Sequence, residues 1–290
     1  MSISQKIKSY IELTKPRILV MQLVTVGIGF FLANLHFHRP WMVLVWLCLG
    51  TALVAGGAGT LNHYLEIDID RLMKRTQNRP LPSGKLTPLS ALLFGVGQSL
   101  LGVLILSWKV NFLTALLAIL TLALYLGLYT PLKRKTWLNT FVGAVPGAIP
   151  PLGGWAAASG NLHMGGWILF FILFAWQLPH FYAIAVLYKE DYRAAGLKML
   201  PVDDPGYQKT IRHILVHSGL LIYFSVLPTA IGLSGKIYLV GALILGVGFL
   251  AAGVSFARQK TLGEARTLLR ASLLYLPLLL ILIVVDSQIK

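Results

Sequence analysis

Three acidic residues, Glu66, Asp68 and Asp70, follow closely on an uncharged apolar segment, LCLGTALVAGGAGTL at 47–61. If the apolar helix continues beyond the membrane boundary, Asn62, Glu66 and Asp70 recur every four residues and share one face of it. Asp68 falls on another face and is predicted to begin a loop. Oxygen ligands beside an excess of cationic side chains indicate a site for a metal ion and a polyanion. The basic residues that follow are Arg71, Lys74, Arg75 and Arg79.

A second acidic segment comes much later in the chain, with Glu190, Asp191, Asp203 and Asp204. Two inward-facing acidic faces at one membrane depth would form a divalent-cation site, and Mg²⁺ typically takes one or two carboxylates, water and substrate phosphate oxygens. Neighbouring Arg and Lys would hold the remaining charge of a diphosphate. Interfacial salt bridges that orient the loops are the alternative reading of both acidic segments. The positions near one stripe of the helix before this segment are Gln177, His180, Ile184, Tyr188 and Asp191.

The elements that must position these residues are membrane-spanning helices. The chain has 290 residues, of which 56% are hydrophobic and 12% charged, and apolar runs of about 18 or more residues recur along it. We predict nine spans in one integral membrane domain, 1–290. The fifth span contains Pro146, Pro150 and Pro151, which predict a kink or a break. The predicted spans are 18–35, 41–62, 89–107, 110–129, 137–157, 165–187, 213–233, 237–257 and 269–286.

Basic residues orient the predicted spans. All but four of the 25 Lys and Arg residues fall in the N-terminal tail and in every second loop. By the positive-inside rule this places the N-terminus in the cytoplasm and the C-terminus outside. The net charge of +15 is therefore mainly topological and gives no support to nucleic-acid binding. The four exceptions are Arg39, Lys109, Lys236 and Lys290.

The N-terminal segment bears on the cellular location. It is short and mildly basic, and it is predicted to lead into an uncleaved first helix rather than to form a signal peptide. Because no Arg/Ser-rich transit segment precedes the first span, the pattern favours a bacterial inner membrane, crossed several times by the chain.

Several stretches resemble a known family. The pattern N-x-x-x-E-x-D-x-D-R-x-M-x-R-T-x-x-R-P-L at 62–81 is similar to the first Asp-rich motif of the UbiA superfamily of intramembrane prenyltransferases. Further similar stretches are TKPR at 14–17, the segment 129–155 and the segment 176–202. Within the superfamily, D-Y-x-x-A-G-x-x-M-L-P at 191–201 resembles the members that farnesylate haem.

The resemblance implies an all-α integral membrane bundle around a central cavity. It also implies transfer of a farnesyl group from farnesyl diphosphate to the vinyl group of haem b, with addition of water. Mg²⁺ is the implied cofactor, and Asn62, Glu66, Asp70 and Asp191 are its implied ligands and the catalytic residues. Beside the two substrates and the lipid bilayer, haem A synthase or an assembling terminal oxidase is a candidate partner. The residues implied to bind substrate are Lys15, Arg17, Asp68, Arg71, Lys74, Arg75, Arg79, Lys133, His180, Tyr188 and Tyr192.

Two positions depart from the superfamily pattern Asn-Asp-x-x-Asp-x-x-x-Asp. His63 follows Asn62, and Glu66 stands where the middle Asp is usual, which keeps a carboxylate on an arm one methylene longer. His180 is expected either to contact haem or substrate or to make a structural hydrogen bond. Aromatic rings could shield an allylic cation through their π faces, or they could serve only in packing. These rings are Tyr125, Tyr129, Trp176 and Tyr182.

Two other functions stay open on the sequence alone. The chain could be a prenyltransferase of the same superfamily that acts on a quinone precursor. Only the segment 191–201 and its surroundings favour farnesylation of haem over that reaction. A divalent-cation transporter would also use acids at helix ends and helices interrupted by proline. Such a transporter would not need the Arg-Thr-x-x-Arg-Pro-Leu loop at 75–81.

Overall fold

The computed structural model describes residues 2–289, and within them every regular element is helical. Lys290, at the C-terminus predicted to lie outside the cytoplasm, is not among the described residues. α6, a π-helical stretch at Ala123–Tyr129 and α7 follow one another without a break. The helices are α1 (Ile3–Leu13), α2 (Pro16–Phe37), α3 (Trp41–Leu65), α4 (Ile67–Leu72), α5 (Pro88–Lys109), α6 (Phe112–Leu122), α7 (Thr130–Leu132), α8 (Asn139–Ser159), α9 (Met164–Leu187), α10 (Lys189–Ala194), α11 (Gln208–Ala230), α12 (Lys236–Gln259) and α13 (Leu262–Ile289).

Eight helical segments of the described chain are long and apolar enough to cross a membrane. They correspond in order to eight of the nine predicted spans. The chain is therefore a multi-pass membrane protein. The remaining predicted span, the fifth, corresponds to α8, which is not among the helices long and apolar enough to cross a membrane. The count of nine and the orientation of the termini therefore stay predictions. The eight segments are α2, α3, α5, the continuous helix Phe112–Leu132, α9, α11, α12 and α13.

α8 is an interior helix that packs against both α2 and α9. Gly154 lies so close to α2 that a Cβ at this position would collide with the carbonyl of Val26. α8 runs through Pro146, Pro150 and Pro151 as one continuous helix, so the prolines do not break it as predicted. Membrane helices tolerate proline where neighbouring helices enclose the freed backbone groups, and most of α8 is enclosed in this way.

Two small apolar clusters hold the polar segments together outside the spans. In one, Leu13 of α1 packs with Leu81 and Leu86 from the loop after α4. In the other, Ile69 of α4 and its neighbour Met73 pack with residues of the α10 region. The segments that carry the sequence motifs are therefore held beside one another. The members that follow α10 are Ala195, Leu197 and Met199, and Tyr192 of α10 packs against the cluster.

Candidate active site

The first motif follows a nearly continuous helical path from α3 into α4. The Glu66 N–H donates to the Asn62 carbonyl at 3.0 Å, and the Asp70 N–H donates to the Glu66 carbonyl at 2.8 Å. The four-residue register therefore survives the boundary between the two helices. The side chains of Asn62, Glu66 and Asp70 are buried, with 1%, 7% and 1% exposure, whereas Asp68 is exposed.

Each of the three buried side chains Asn62, Glu66 and Asp70 accepts hydrogen bonds from one basic side chain. The Lys15 Nζ lies 2.5 Å from the Asn62 Oδ1. The Lys133 Nζ lies 2.7 Å from the Glu66 Oε1. Arg79 Nη1 donates to both Asp70 oxygens at 2.9 Å. Each of the three side chains is therefore paired with one basic side chain, Asn62 with Lys15, Glu66 with Lys133 and Asp70 with Arg79.

Lys15 lies at the turn between α1 and α2 and has a left-handed backbone conformation, with φ at 53°. A proline at the next position disfavours the right-handed helical conformation here. The left-handed region costs a non-glycine residue about 1–2 kcal/mol. The turn directs the side chain into the bundle, where the ammonium also lies 3.2 Å from the Tyr125 hydroxyl. Burial lowers the pKa of the Lys15 ammonium to about 7.

The π-helical stretch contributes to the site through a closed ring of hydrogen bonds. Asn62 Nδ2 donates to the Thr130 hydroxyl at 3.0 Å. That hydroxyl donates in turn to the Tyr125 carbonyl at 2.8 Å. The Tyr125 hydroxyl contacts Lys15, which closes the ring at the Asn62 Oδ1. Single π-helical turns within α-helices are frequent at functional sites, and this one ties α6 and α7 to the first motif.

Aromatic faces line the cationic side of the cluster. The rings of Tyr125 and Tyr129 stack with their centroids 5.5 Å apart. The Lys133 ammonium lies 4.5 Å from the Tyr129 ring centroid. Burial works to lower the pKa of Lys133, but the surrounding Tyr129 and Glu66 side chains outweigh it and raise that pKa. Lys133 therefore stays protonated in the site.

The Asp70 carboxylate is also held in its charged form. Burial works to raise its pKa, and the neighbouring His63 and Arg79 side chains outweigh this effect, so the pKa of Asp70 lies below its usual value. His63 Nδ1 is 3.5 Å from the Asp70 Oδ2, which is longer than an ordinary hydrogen bond.

The acids of the second segment have different surroundings. Glu190 is exposed and pairs with Arg193 at 2.6 Å. The Asp204 carboxylate accepts from the Thr210 N–H at 2.8 Å and from its hydroxyl at 2.9 Å, at the start of α11. Asp191 is half-buried in α10, and within residues 2–289 its carboxylate forms no ion pair. Two of these acids therefore serve local structure, and Asp191 is left available.

The loop after α7 connects the second segment to the first motif. The Lys198 N–H donates to the Lys133 carbonyl at 2.7 Å, and Asn139 Nδ2 donates to the Lys198 carbonyl at 2.7 Å. Tyr192 packs with the cluster that contains Ile69, and burial raises the pKa of its hydroxyl.

Other predicted site residues lie elsewhere. Arg75 lies 5.2 Å from the ring centroid of the exposed Tyr188, on the surface. His180 Nδ1 shares a 2.7 Å hydrogen bond with the hydroxyl of Ser272 in α13, and its ring stacks on Trp176. Of the two readings of His180, the structural hydrogen bond is the contact observed. The remaining predicted residues are exposed and are not drawn into the buried cluster; they are Arg17, Asp68, Arg71 and Lys74.

The residues of the first motif suit a magnesium ion by their chemistry. They offer buried amide and carboxylate oxygens, the donor type that Mg²⁺ prefers. Across the described residues there is no group of three or more His, Cys, Asp and Glu side chains close enough to hold a metal by themselves. The site therefore fits an ion that takes few protein carboxylates and completes its shell with water and phosphate oxygens.

Sequence reasoning missed Thr130 as a member of the site. Its only signal is its place within the YTP stretch at 129–131, and nothing in the sequence shows that its hydroxyl would bridge Asn62 and the Tyr125 carbonyl. Ser272, the partner of His180, likewise lies far along the chain in a span with no recognisable motif.

Comparison with known proteins identifies the family. The model of the UbiA prenyltransferase family matches residues 22–280. The chain belongs to the UbiA prenyltransferase family. One relative, from Solibacter usitatus, is named protoheme IX farnesyltransferase. It is 48% identical to this chain over 288 residues, which cover 96% of this chain and 98% of the relative. A protein of the same name from Salinibacter ruber is 45% identical over 277 residues, covering 96% and 98%.

Solved structures of other UbiA-family proteins share the fold. The structure reported for digeranylgeranylglyceryl phosphate synthase in membranes has a TM-score of 0.83 at 19% identity, covering 99% of this UbiA-family chain and 100% of the other. A UbiA homologue from Archaeoglobus fulgidus bound to GPP and Mg²⁺ has a TM-score of 0.68 at 16% identity, covering 95% and 99%. At these identities the likeness establishes the arrangement of helices and nothing finer.

Proposed function

We propose that this chain transfers a farnesyl group from farnesyl diphosphate to haem b and adds water to the product. The new carbon–carbon bond forms between C1 of the farnesyl group and the outer carbon of a haem vinyl group, while the bond from C1 to the diphosphate oxygen breaks. Water adds to the inner vinyl carbon and loses a proton. The product carries a hydroxyethylfarnesyl side chain, diphosphate leaves, and no oxidant or reductant is needed.

The observation that carries this proposal is the extent of the similarity. Proteins named protoheme IX farnesyltransferase are 40–48% identical to this chain over at least 280 residues in several bacteria. The matches cover 96–97% of this chain, and the segment 191–201 resembles the haem-farnesylating members rather than those that act on quinone precursors. If the chain were a divalent-cation transporter, its similarity to proteins named as farnesyltransferases would be unexplained.

The proposed roles follow from charge and position. Lys15, Arg79 and Lys133 each end at an oxygen of the first motif, so together they can neutralise a diphosphate as its charge increases on departure. The stacked rings of Tyr125 and Tyr129 lie beside the two lysines, where their π faces could stabilise an allylic cation.

Mg²⁺ is the proposed cofactor. The proposed ligands are Asn62, Glu66 and Asp70 of the first motif and Asp191 of the second segment. The packing of Tyr192, the residue after Asp191, on the cluster that contains Ile69 supports the inclusion of Asp191. Bound there, the ion would supply positive charge to the diphosphate oxygens and so stabilise the leaving group. The Mg²⁺ recorded in the A. fulgidus homologue together with GPP supports the use of this ion with a prenyl diphosphate.

The proposed location is a bacterial inner membrane, which agrees with the bacterial origin of the relatives. The product would pass to a haem A synthase or to an assembling terminal oxidase in the same membrane. Farnesyl diphosphate has a long apolar chain and haem b a broad apolar ring, so the lipid bilayer is the medium from which they would enter.

Mass spectrometry of haem from cells that express the chain would test the proposal. We expect haem b to be converted to a species heavier by one farnesyl group and one hydroxyl group. An Asp70→Ala variant should leave haem b unmodified. Prenylation of a quinone precursor with no change in haem would establish the competing prenyltransferase reading. Uptake of Mg²⁺ by proteoliposomes without any prenyl donor would establish the transporter reading.

A further inference from the structure

The N-terminal helix α1 has three distinct faces, only one of which packs on the protein. Leu13 and Ser9 are buried, with Leu13 in the cluster that includes Leu81 and Leu86. Tyr10 meets Phe94 of α5 edge to face, with ring centroids 4.8 Å apart. This contact fixes how α1 is rotated about its own axis.

A second face of α1 is apolar and uncovered. Ile3, Ile7 and Ile11 recur every four residues and so form one stripe, with 82%, 55% and 54% exposure. The third face is polar and carries Lys8 and Glu12, both exposed. A short helix with one apolar and one charged face, at the end of a membrane bundle, has the pattern of helices that lie in the membrane interface.

The apolar stripe is continuous with surfaces that must face lipid. Ile18, at the start of the span α2, and Leu89 and Leu93, in the first turns of the span α5, are all largely exposed. A groove of about 420 Å³ runs between the stripe and α5. Its lining is Ile7, Tyr10, Ile11, Thr14, Phe94 and Gln98.

We propose that α1 lies in the plane of the membrane, with Ile3, Ile7 and Ile11 among the lipid acyl chains and Lys8 and Glu12 in water. The occupant of the groove between α1 and α5 is the acyl chain of a bilayer phospholipid. The bilayer is the partner because the stripe adjoins the span α5 across a groove lined mostly by apolar side chains and lies next in the chain to the span α2, both of which have exposed apolar residues at this end. This proposal stands apart from the reaction, since it concerns only how the chain sits in the membrane.

This placement has a consequence for the site. α1 ends at Leu13, and the turn that follows carries Lys15, whose ammonium reaches Asn62 and Tyr125. Fixing α1 in the interface therefore fixes the start of the turn that presents Lys15. The starting end of α1 is set by a capping box, in which the Gln5 N–H donates to the Ser2 hydroxyl at 3.3 Å and the Ser2 N–H donates to the Gln5 side chain at 3.0 Å.

Site-directed spin labelling of the full chain tests the proposal. Single cysteines at Ile7, Ile11 and Lys8, each in a Cys48→Ala background, would carry a nitroxide in nanodiscs of phosphatidylcholine and phosphatidylglycerol. Power-saturation measurements compare access by oxygen, which concentrates in lipid, with access by a nickel chelate, which stays in water. We expect the ratio of oxygen to nickel access to be several-fold higher at Ile7 and Ile11 than at Lys8.

The other outcomes would overturn the proposal. Equal nickel access at Ile7 and Lys8 would mean that the stripe is in water. Shielding of Ile7 and Ile11 from both reagents would mean that protein covers the stripe, and dipolar broadening between labels would identify that protein as a second copy of the chain. Each substitution replaces an exposed side chain, and thermal unfolding of each labelled variant would verify that it keeps the parent fold.

Discussion

The Lys133 ammonium lies 2.7 Å from the Glu66 carboxylate, and Lys15 and Arg79 contact the side-chain oxygens of Asn62 and Asp70 in the same site. A metal ion and a diphosphate arriving together would exchange partners with these pairs: the oxygens would turn to the metal and the bases to the phosphates. Either ligand alone would break pairs and leave buried charges uncompensated, which is costly. The two ligands should therefore bind cooperatively.

The first prediction is a measurable coupling between Mg²⁺ and prenyl diphosphate. Each should raise the affinity for the other by roughly tenfold, within the usual range of coupling energies. Lys133→Met removes the cation that competes with the metal at Glu66. It should therefore strengthen Mg²⁺ binding alone, weaken binding of farnesyl thiolodiphosphate, and reduce the coupling. Isothermal titration with each ligand, in the presence and absence of the other, measures all three.

Lys135→Met is the matched control for this prediction. Lys135 belongs to the same loop, and its side chain is exposed, so both titrations should follow the parent. If Lys133→Met leaves the Mg²⁺ titration unchanged, the ammonium does not compete with a metal at Glu66, and the partner exchange is wrong.

The second prediction concerns the longer arm of Glu66. Glu66→Asp restores the usual residue of the superfamily but shortens the arm by about 1.5 Å, and Mg²⁺ tolerates little departure from roughly 2.0–2.1 Å. It should raise the Mg²⁺ concentration needed for half-maximal activity. Glu66→Gln should raise it further, because it also removes the charge. A parent-like Mg²⁺ requirement in Glu66→Gln would exclude Glu66 as a ligand.

The third prediction separates Asp70 and Asp191 from the other acids. Asp70→Ala and Asp191→Ala should each abolish farnesyl transfer and leave the protein folded in the membrane, as judged by size-exclusion profile. Glu190→Ala is the control, since Glu190 is an exposed neighbour on α10. Asp286, the acid near the end of the last span, would be a poor control, because it is buried and its carboxylate accepts a hydrogen bond from the Gly235 N–H. Near-normal transfer by either site variant would remove that residue from the mechanism.

The sequence predicted the grouping of the first motif because spacing by four residues is a local property of a helix. It did not predict that each of the three side chains would be paired with a basic residue from a distant part of the chain or the following loop. Lys15 is 47 residues before Asn62, and Lys133 is 67 residues after Glu66. Such pairs depend on how distant helices pack, and no local pattern encodes them.

The observed helix boundaries also differ from the predicted spans where local hydropathy gives no signal. The last helix was expected over 269–286 and extends over Leu262–Ile289. Its first turns are polar and carry Arg266, so hydropathy does not detect them. The helical segment expected at 137–157 is observed as α8, Asn139–Ser159. Its position inside the bundle is a property of packing, which composition did not predict.

The fourth prediction is topological. The loop after α4 should face the cytoplasm, because it lies among the basic loops. Ser83 is exposed in that loop, so Ser83→Cys in a Cys48→Ala background should react only with a membrane-permeant reagent in intact cells. Lys236→Cys, exposed on the opposite side, should react with an impermeant one. Reaction of Ser83→Cys with the impermeant reagent would reverse the orientation.

The last prediction tests the ring of hydrogen bonds around the π-helical stretch. Thr130→Val keeps the shape of the side chain but removes the hydroxyl that joins Asn62 Nδ2 to the Tyr125 carbonyl. A buried donor left without a partner costs about 1–3 kcal/mol, and Asn62 and Lys15 would lose their fixed positions. We therefore expect farnesyl thiolodiphosphate to bind roughly tenfold more weakly in the presence of Mg²⁺.

Two companion variants distinguish positioning from general loss of stability. Thr121→Val removes a hydroxyl from the same helix that bonds only to the Leu117 carbonyl, at 2.8 Å, so its ligand affinity should match the parent. Thr130→Ser restores the hydroxyl and should recover most of the affinity. Thermal unfolding in detergent should show that both variants are folded, with Thr130→Val unfolding at a lower temperature than Thr121→Val because its Asn62 donor is unpaired. If Thr130→Ser binds as weakly as Thr130→Val, the hydroxyl alone does not restore ligand affinity, and the hydrogen-bond ring is not what positions Asn62.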